Sequence, residues 1–355
     1  MEILDEIEVR KVQKSRLPEL DMNHLDFGSS ISDHMFYCVY ENEEWQRPRI
    51  VPFDNISLSP ATLALHYGQS VFEGMKAFRM NDGSVTIFRI EKHHERLNKS
   101  LFRMCMPSVP FDLFSAALQQ LVHVDKEWIP NVDGSSLYIR PLIFASEAKF
   151  GVKVSSQYTF IIFTGPVAPF FQKPIRLKVE REFVRAPKGG TGSAKCAGNY
   201  GGVFYPTQLA REQGFDQVLW TDSKENEYIE ESGMMNAMFV IDGTLVTPPL
   251  SDSILDGITR DSFLQLAKQM NVPVEERPVS VTELVHAFRK NTITEAFGAG
   301  TAAVVAPIAS IHIDGIDYKL PEYSEQNIMF LLKKKLNAIR LGEKNDEFGW
   351  NTIIN

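Results

Sequence analysis

Lys188-Gly-Gly-Thr-Gly-Ser-Ala-Lys-Cys-Ala-Gly-Asn-Tyr-Gly-Gly202 sets six glycines around one internal lysine, Lys195. Glycine loses more conformational freedom on folding than any other residue, so such a cluster marks a backbone that bends sharply or lets another group come close. Two chemistries compete for the lysine. A phosphate loop of the form G-x-x-x-x-G-K-[ST] fails in register, because Ala194 precedes Lys195 and Cys196 follows it, leaving no turn glycine and no magnesium-binding hydroxyl. A Schiff-base lysine needs a partly desolvated amine of lowered pKa in a tight pocket, which the small neighbours Gly192, Ala194, Ala197 and Gly198 suit. An exposed lysine on a flexible loop is the ordinary state of an arbitrary lysine; the glycine density and the segments below weigh against it.

The chain around this loop has 355 residues, 44% of them apolar, which suggests two domains with enough apolar content to bury both cores. A net charge of -8 without basic tracts argues against nucleic acid or an anionic membrane as partner. The three cysteines, Cys38, Cys105 and Cys196, form no C-x-x-C pair, which points to a reducing compartment and no structural metal. Residues 1–10 carry early acids and no apolar core, unlike a secretory or mitochondrial leader. The most apolar region, 158–171, is broken by Gly165, Pro166 and Pro169 and is no membrane span. A cytoplasmic protein is expected.

Apolar patterns predict strands over 33–40, 49–53, 68–79, 85–88 and 136–144, and a buried strand over 158–163. The strand at 136–144 puts Tyr138 and Arg140 on one face. Helices are predicted from Ser59, with Pro60 in the first turn, and over 90–104 and 112–127. In 90–104, Leu97, Leu101 and Met104 form the apolar face, with His93, Arg96, Lys99 and Arg103 projecting elsewhere. The proline-rich stretch 165–174 reads as a linker. Beyond it come strands at 175–179, 216–221 and 238–241, helices at about 200–213, 257–270, 282–288 and 326–341, and a strand-turn-strand at 294–305. The helix opening at Gly257, Ile258 and Thr259 presents free backbone N–H groups, a ready anion site.

A lysine alone does not make a cofactor site; pyridoxal phosphate also needs an acid for its ring nitrogen and groups for its phosphate. Glu230-Glu-Ser-Gly233 leads two carboxylates into an apolar strand. Gly189-Gly-Thr-Gly-Ser-Ala-Lys-x-x-Gly-Asn-Tyr200, Tyr228-Ile-Glu-Glu-Ser-Gly-x-Met-Asn236, Phe72-Glu-Gly-Met-Lys-Ala-Phe78 and Phe297-Gly-x-Gly-Thr-Ala302 together resemble the branched-chain amino acid aminotransferases, in the family's order. The resemblance implies an α/β (α+β) fold of the fold-type IV pyridoxal phosphate enzymes. It has a smaller α/β domain, an interdomain loop and a larger pseudo-barrel domain, here placed at 1–166, 167–182 and 183–355. It also implies a homodimer.

Carried over residue by residue, the resemblance makes Lys195 the Schiff-base lysine, the site of the internal aldimine and the proton shuttle. Glu231, rather than Glu230, becomes the partner of the ring nitrogen, and Tyr200 the partner of the phenolic oxygen. Arg96, the Ile258 and Thr259 amides and Thr301 become the phosphate site. Phe27, Tyr67, Phe72 and Tyr138 match the aromatic substrate wall, and Arg140 the arginine that admits the glutamate γ-carboxylate. Ala302, with Thr301, offers backbone N–H groups to the α-carboxylate. The implied reaction is ping-pong transfer of the amino group of leucine, isoleucine or valine to 2-oxoglutarate, giving glutamate and the branched-chain 2-oxo acid.

Two departures stand out. Where mammalian-type enzymes carry a C-x-x-C pair this chain has Ala303 and Ala306, and Met234 replaces a threonine near the substrate carboxylate. A D-amino acid aminotransferase or an aminodeoxychorismate lyase would share Lys195 and Glu231; Tyr138-x-Arg140 and Phe72-Glu-Gly-Met argue against them. A non-catalytic phosphate-ligand binder using the glycine loop is the rival from another class.

Overall fold

A computed structural model describes residues 7–354 except 23, 133 and 169–172. The acidic start at 1–6 and the middle of the predicted linker, 169–172, lie outside the described residues. Contacts sort the chain into two compact units, one of Met1–Phe170, Ala194–Gly198 and Ile339–Asn355, the other of Phe171–Ser193 and Asn199–Ala338.

The first unit is built on a ten-stranded sheet. Its central strands, His34–Glu41, Tyr158–Val167 and Ser136–Ala145, are antiparallel neighbours that bury Phe36, Cys38, Phe160, Ile162, Ile139 and Ile143. Two helices, Ile90–Arg103 and Phe111–Val124, cover that face with Leu97, Leu101, Phe114, Leu118 and Leu121. These β-branched and aromatic strands and 3.6-period helices each expose one apolar side that only the other can cover.

Lys195 sorts with this unit through its backbone. Phe72 N–H donates to Lys195 O at 3.0 Å and Ala197 N–H to Ser70 O at 2.9 Å. Lys195 N–H donates to Ser100 Oγ at 2.9 Å, so the lysine segment is tied to the Ser70–Phe72 strand and to the Ile90–Arg103 helix.

In the second unit, strand Ile229–Ser232 pairs with both Gln217–Thr221 and Met235–Ile241. The pairing continues from Gln217–Thr221 through Ile175–Glu180, Val304–Ile313 and Ile293–Gly300 back to Met235–Ile241. Those six strands therefore close on one another, the barrel-like sheet of the expected fold type. Helices Ile258–Gln269 and Val281–Lys290 run beside it. Ser280 caps the second by accepting from Glu283 N–H at 2.9 Å.

Three local expectations are corrected. The helix read from Ser59 begins at Leu63, with Thr62 as N-cap. Thr62 N–H donates to Ser59 O in a turn, while Leu63 N–H donates to Glu147 O and Lys149 N–H to Ala61 O, so tertiary pairing sets where the helix begins. The helix read over 200–213 is two pieces, Gly198–Gly201 and Phe204–Glu212. His93 and Arg96, assigned away from the apolar face, are buried with Leu97 and Leu101. Among the described residues no helix is long and apolar enough to cross a membrane.

Candidate functional site

In the first unit, strands Ser70–Phe72 and Met75–Arg79 share one register against Ser136–Ala145, with Phe72 opposite Leu142 and Met75 opposite Ile139. Their pairing lapses at Glu73, whose N–H donates to Pro141 O at 2.8 Å while Pro141 has no N–H to return. Alternation puts Phe72, Gly74, Tyr138 and Arg140 on one face and Glu73 on the other.

On the first face the Arg140 guanidinium stacks 4.7 Å from the Phe72 ring centroid and 5.2 Å from that of Tyr138, and donates to Tyr138 Oη at 3.2 Å. Arg140 Nε is buried with no hydrogen-bond partner. Phe27 meets Tyr138 edge-on at 5.1 Å. With Phe163, Gly165 and Val167, Phe27, Tyr138 and Arg140 line a cavity of about 150 Å³. Tyr67 ends the Leu63–Tyr67 helix and is exposed, beside His66.

The Lys195 amine lies 4.9 Å from the Phe72 ring centroid. The residue as a whole is only partly buried, yet desolvation of the amine, then the Arg96 charge, pushes it below the ordinary lysine range, with Glu73 opposing. On the other face Arg96 donates to the fully buried Glu73 through Nε and Nη2, both at 2.7 Å, and Glu73 also bonds His93 Nδ1 at 2.8 Å. Arg96 holds the Glu73 carboxyl well below the usual range against the opposite pull of burial, and burial pushes His93 down to about 4, so its imidazole is neutral.

Within the second unit, Glu231 is buried, accepts from Leu255 N–H at 2.7 Å and faces Arg185 Nε at 3.3 Å. The Arg185 guanidinium also donates to Gly192 O, at 2.9 Å, and to Ser253 O. Glu230 accepts from Ser253 Oγ, its second oxygen is buried without a partner, and burial raises its pKa to about 7. Glu230 therefore titrates near neutrality.

Asn236, opposite Glu231 in the sheet, donates to Leu255 O at 2.9 Å. Glu231 and Asn236 thereby pin the segment that leads into Gly257 and the Ile258–Gln269 helix. A Cβ on Gly257 would lie 1.8 Å from Asn236 Oδ1, so glycine is required there. Ile258 and Thr259 are buried, and Gly257 at the N-cap offers no side chain to the first N–H groups of this helix. Asn236 pairs in turn with Ala299, which puts the Thr301 and Ala302 turn one strand over. Val304 closes that turn at φ 61°, a strained setting for a β-branched residue. Tyr200 is half-buried in the Gly198–Gly201 helix, and Met234 is exposed.

Neither His93, placed away from the apolar face, nor Arg185 was legible as a site residue in the sequence, and nor was Glu73 within the Phe72–Phe78 motif. His93 had a signal, lying three residues before Arg96 on one helix; Arg185 had none. Among the described residues no group of three or more acids, histidines or cysteines could hold a metal ion.

The family model for class IV amino-transferases matches residues 70–311, a span that contains Lys195, Arg96, Glu231 and the Thr301 turn. The chain belongs to the class IV aminotransferases. Among curated relatives of this aminotransferase, branched-chain-amino-acid aminotransferase 2 of Bacillus subtilis (strain 168) is 43% identical over 348 residues, covering 97% of this chain and 96% of that one. The branched-chain amino acid aminotransferase from Escherichia coli superposes with a TM-score of 0.72 at 28% identity, covering 91% of this chain and 99% of that one. That of T.th., complexed with N-(5'-phosphopyridoxyl)-L-glutamate, gives a TM-score of 0.71 at 26% identity, covering 90% and 98%. This aminotransferase thus sits within the branched-chain aminotransferase group, with the mixed α/β two-unit fold expected of fold type IV.

Proposed function

We propose that this chain transfers the amino group of L-leucine, L-isoleucine or L-valine to 2-oxoglutarate with pyridoxal 5'-phosphate, the first product leaving before the acceptor binds. The observation that carries the reading is the Lys195 amine, desolvated and lowered in pKa beside Arg96 and the Phe72 ring. A chain 43% identical over 97% of this one bears the branched-chain aminotransferase name. The phosphopyridoxyl-glutamate complex of the T.th. relative supports both cofactor and acceptor.

The residues present fit that cofactor. Lys195 supplies an amine held below the ordinary lysine range, Glu231 a buried carboxylate for the ring nitrogen, and Arg96 a buried guanidinium for the phosphate. The uncapped helix start at Ile258 and Thr259 and the Thr301 hydroxyl complete the phosphate set, and Tyr200 takes the phenolic oxygen. When bound, the cofactor supplies an aldehyde carbon for amines and a ring that withdraws electrons from the substrate α-carbon. Lys195 Nζ anchors the cofactor and moves the α-proton. Phe27, Tyr67, Phe72 and Tyr138 enclose the aliphatic side chain, where burial contributes about 0.8 kcal/mol per CH₂. Arg140, with its orphaned Nε, receives a carboxylate, as do the backbone N–H groups at Ala302.

The same reading makes the protein a cytoplasmic homodimer with small-molecule partners and no nucleic acid or membrane partner. Its domains are 1–166 and 183–355, joined by 167–182. A coupled assay tests it: L-leucine with 2-oxoglutarate should yield glutamate, whereas turnover of D-alanine and none of L-leucine sinks it.

A further inference from the structure

Glu73 has no exposed surface at all, and a buried carboxylate costs several kcal/mol unless it is paired and fully hydrogen-bonded. It meets both conditions. Its two oxygens take Arg96 Nε and Nη2 at 2.7 Å each, a fork that fixes the guanidinium in rotation as well as in place. His93 Nδ1 adds a third bond at 2.8 Å, and the Gly74 N–H a fourth at 3.2 Å. His93, Arg96 and Ser100 lie on one stripe of the Ile90–Arg103 helix. The first two grip Glu73, and the third accepts the Lys195 backbone N–H. One carboxylate on the strand therefore locks the arginine to the helix face that also seats the lysine.

Resting on the pyridoxal phosphate reading, we propose that Glu73, seated by His93, is the positioning residue of Arg96. It takes the Nε–Nη2 edge and so fixes the rotation of the guanidinium that holds a phosphate dianion. Its charge has a second effect. Lys195 is faced by Arg96, Arg140, Tyr138 and Glu73, and of these Glu73 is the carboxylate that offsets the Arg96 field on the amine. Glu73 is itself faced by Arg96 and His93. Glu73 thus sets both the grip on the phosphate and the proton affinity at Lys195.

The test uses holoenzyme with Glu73→Gln, Glu73→Asp and His93→Gln. Cofactor dissociation is followed by visible absorbance, inorganic phosphate is titrated as a competitor of cofactor rebinding, and the pH midpoint of the visible band is recorded. Glu73→Gln should weaken cofactor and inorganic phosphate alike by roughly tenfold or more, the scale of a lost charge-assisted bond. It should also lower the band's pH midpoint by about one unit, because the arginine field is no longer offset. Glu73→Asp should restore the midpoint in part, and His93→Gln should weaken phosphate binding without moving the midpoint as far. A purely structural role would change thermal stability alone. A folded Glu73→Gln enzyme with parental cofactor affinity and midpoint overturns the proposal. If that variant does not fold, parental values in both Glu73→Asp and His93→Gln do the same. Failure of the underlying reading looks different: the parent protein itself would then hold no cofactor that borohydride fixes to the chain.

Discussion

The hydroxyl of Tyr138 lies 2.0 Å from where a Cβ on Gly74 would stand. No real side chain pair tolerates that distance, so Gly74 is what lets the tyrosine lean across its neighbouring strand toward Arg140. Gly74→Ala should displace the Tyr138 ring and its contacts to Phe27 and Arg140. Overpacking of this kind costs typically 1–3 kcal/mol. The expected result is a KM for L-leucine raised roughly tenfold, with the cofactor spectrum unchanged; an unchanged KM removes Tyr138 from the substrate wall.

Lys195→Ala removes the amine that Phe72 and Arg96 surround. Turnover should fall by roughly four orders of magnitude or more, as when a member of a catalytic unit is deleted. Borohydride should no longer fix any cofactor to the polypeptide, as mass spectrometry of the reduced protein will report. Retained labelling would place the anchor elsewhere.

The adjacent glutamates should separate cleanly. Glu231 is bonded to Leu255 N–H and paired with Arg185, whereas Glu230 is held by Ser253 and pushed up to about 7. Glu231→Gln is expected to reduce kcat far more than Glu230→Gln. Equal losses would erase the distinction.

Glu230 also carries a pH signature in stability. Because its folded pKa is raised above the ordinary 4.5, the native state binds more protons than the unfolded chain between 4.5 and about 7. Its contribution is therefore fully present below 4.5 and lost as pH rises through about 7, on the order of 3 kcal/mol in all. Urea unfolding at pH 5, 6, 7 and 8 should show that slope in the parent and a flatter one in Glu230→Gln.

His93 runs the other way. Burial depresses its pKa from 6.5 to about 4, so the unfolded chain takes up a proton first as pH falls. Stability present above 6.5 is lost down to about 4, again on the order of 3 kcal/mol. His93→Gln should remove that acid-side loss, and a denaturation series from pH 7 to pH 4.5 would reveal it.

Local pattern made much of this molecule legible. Local pattern found the strands at 136–144 and 158–163, because one face of each meets a core, but the second runs on to Val167 through residues read as linker. The 3.6-residue period found the Ile90–Arg103 helix, and glycine and lysine chemistry singled out Lys195 before any partner was known. The strand Asn351–Ile354 escaped, since it forms only by pairing with Val85–Phe88 more than 260 residues away. The start of the helix at Leu63 escaped for the same reason, being set by the pairing with residues 147–149.

By itself the sequence determined the family and the order of most elements, because these depend on residue type and short-range spacing. Only the tertiary structure decided which charges meet. Glu73 opposite Arg96, His93 turned inward and Arg185 beside Glu231 are juxtapositions across separate elements. Burial then makes each worth far more than it would be in water, and no periodicity along the chain encodes it.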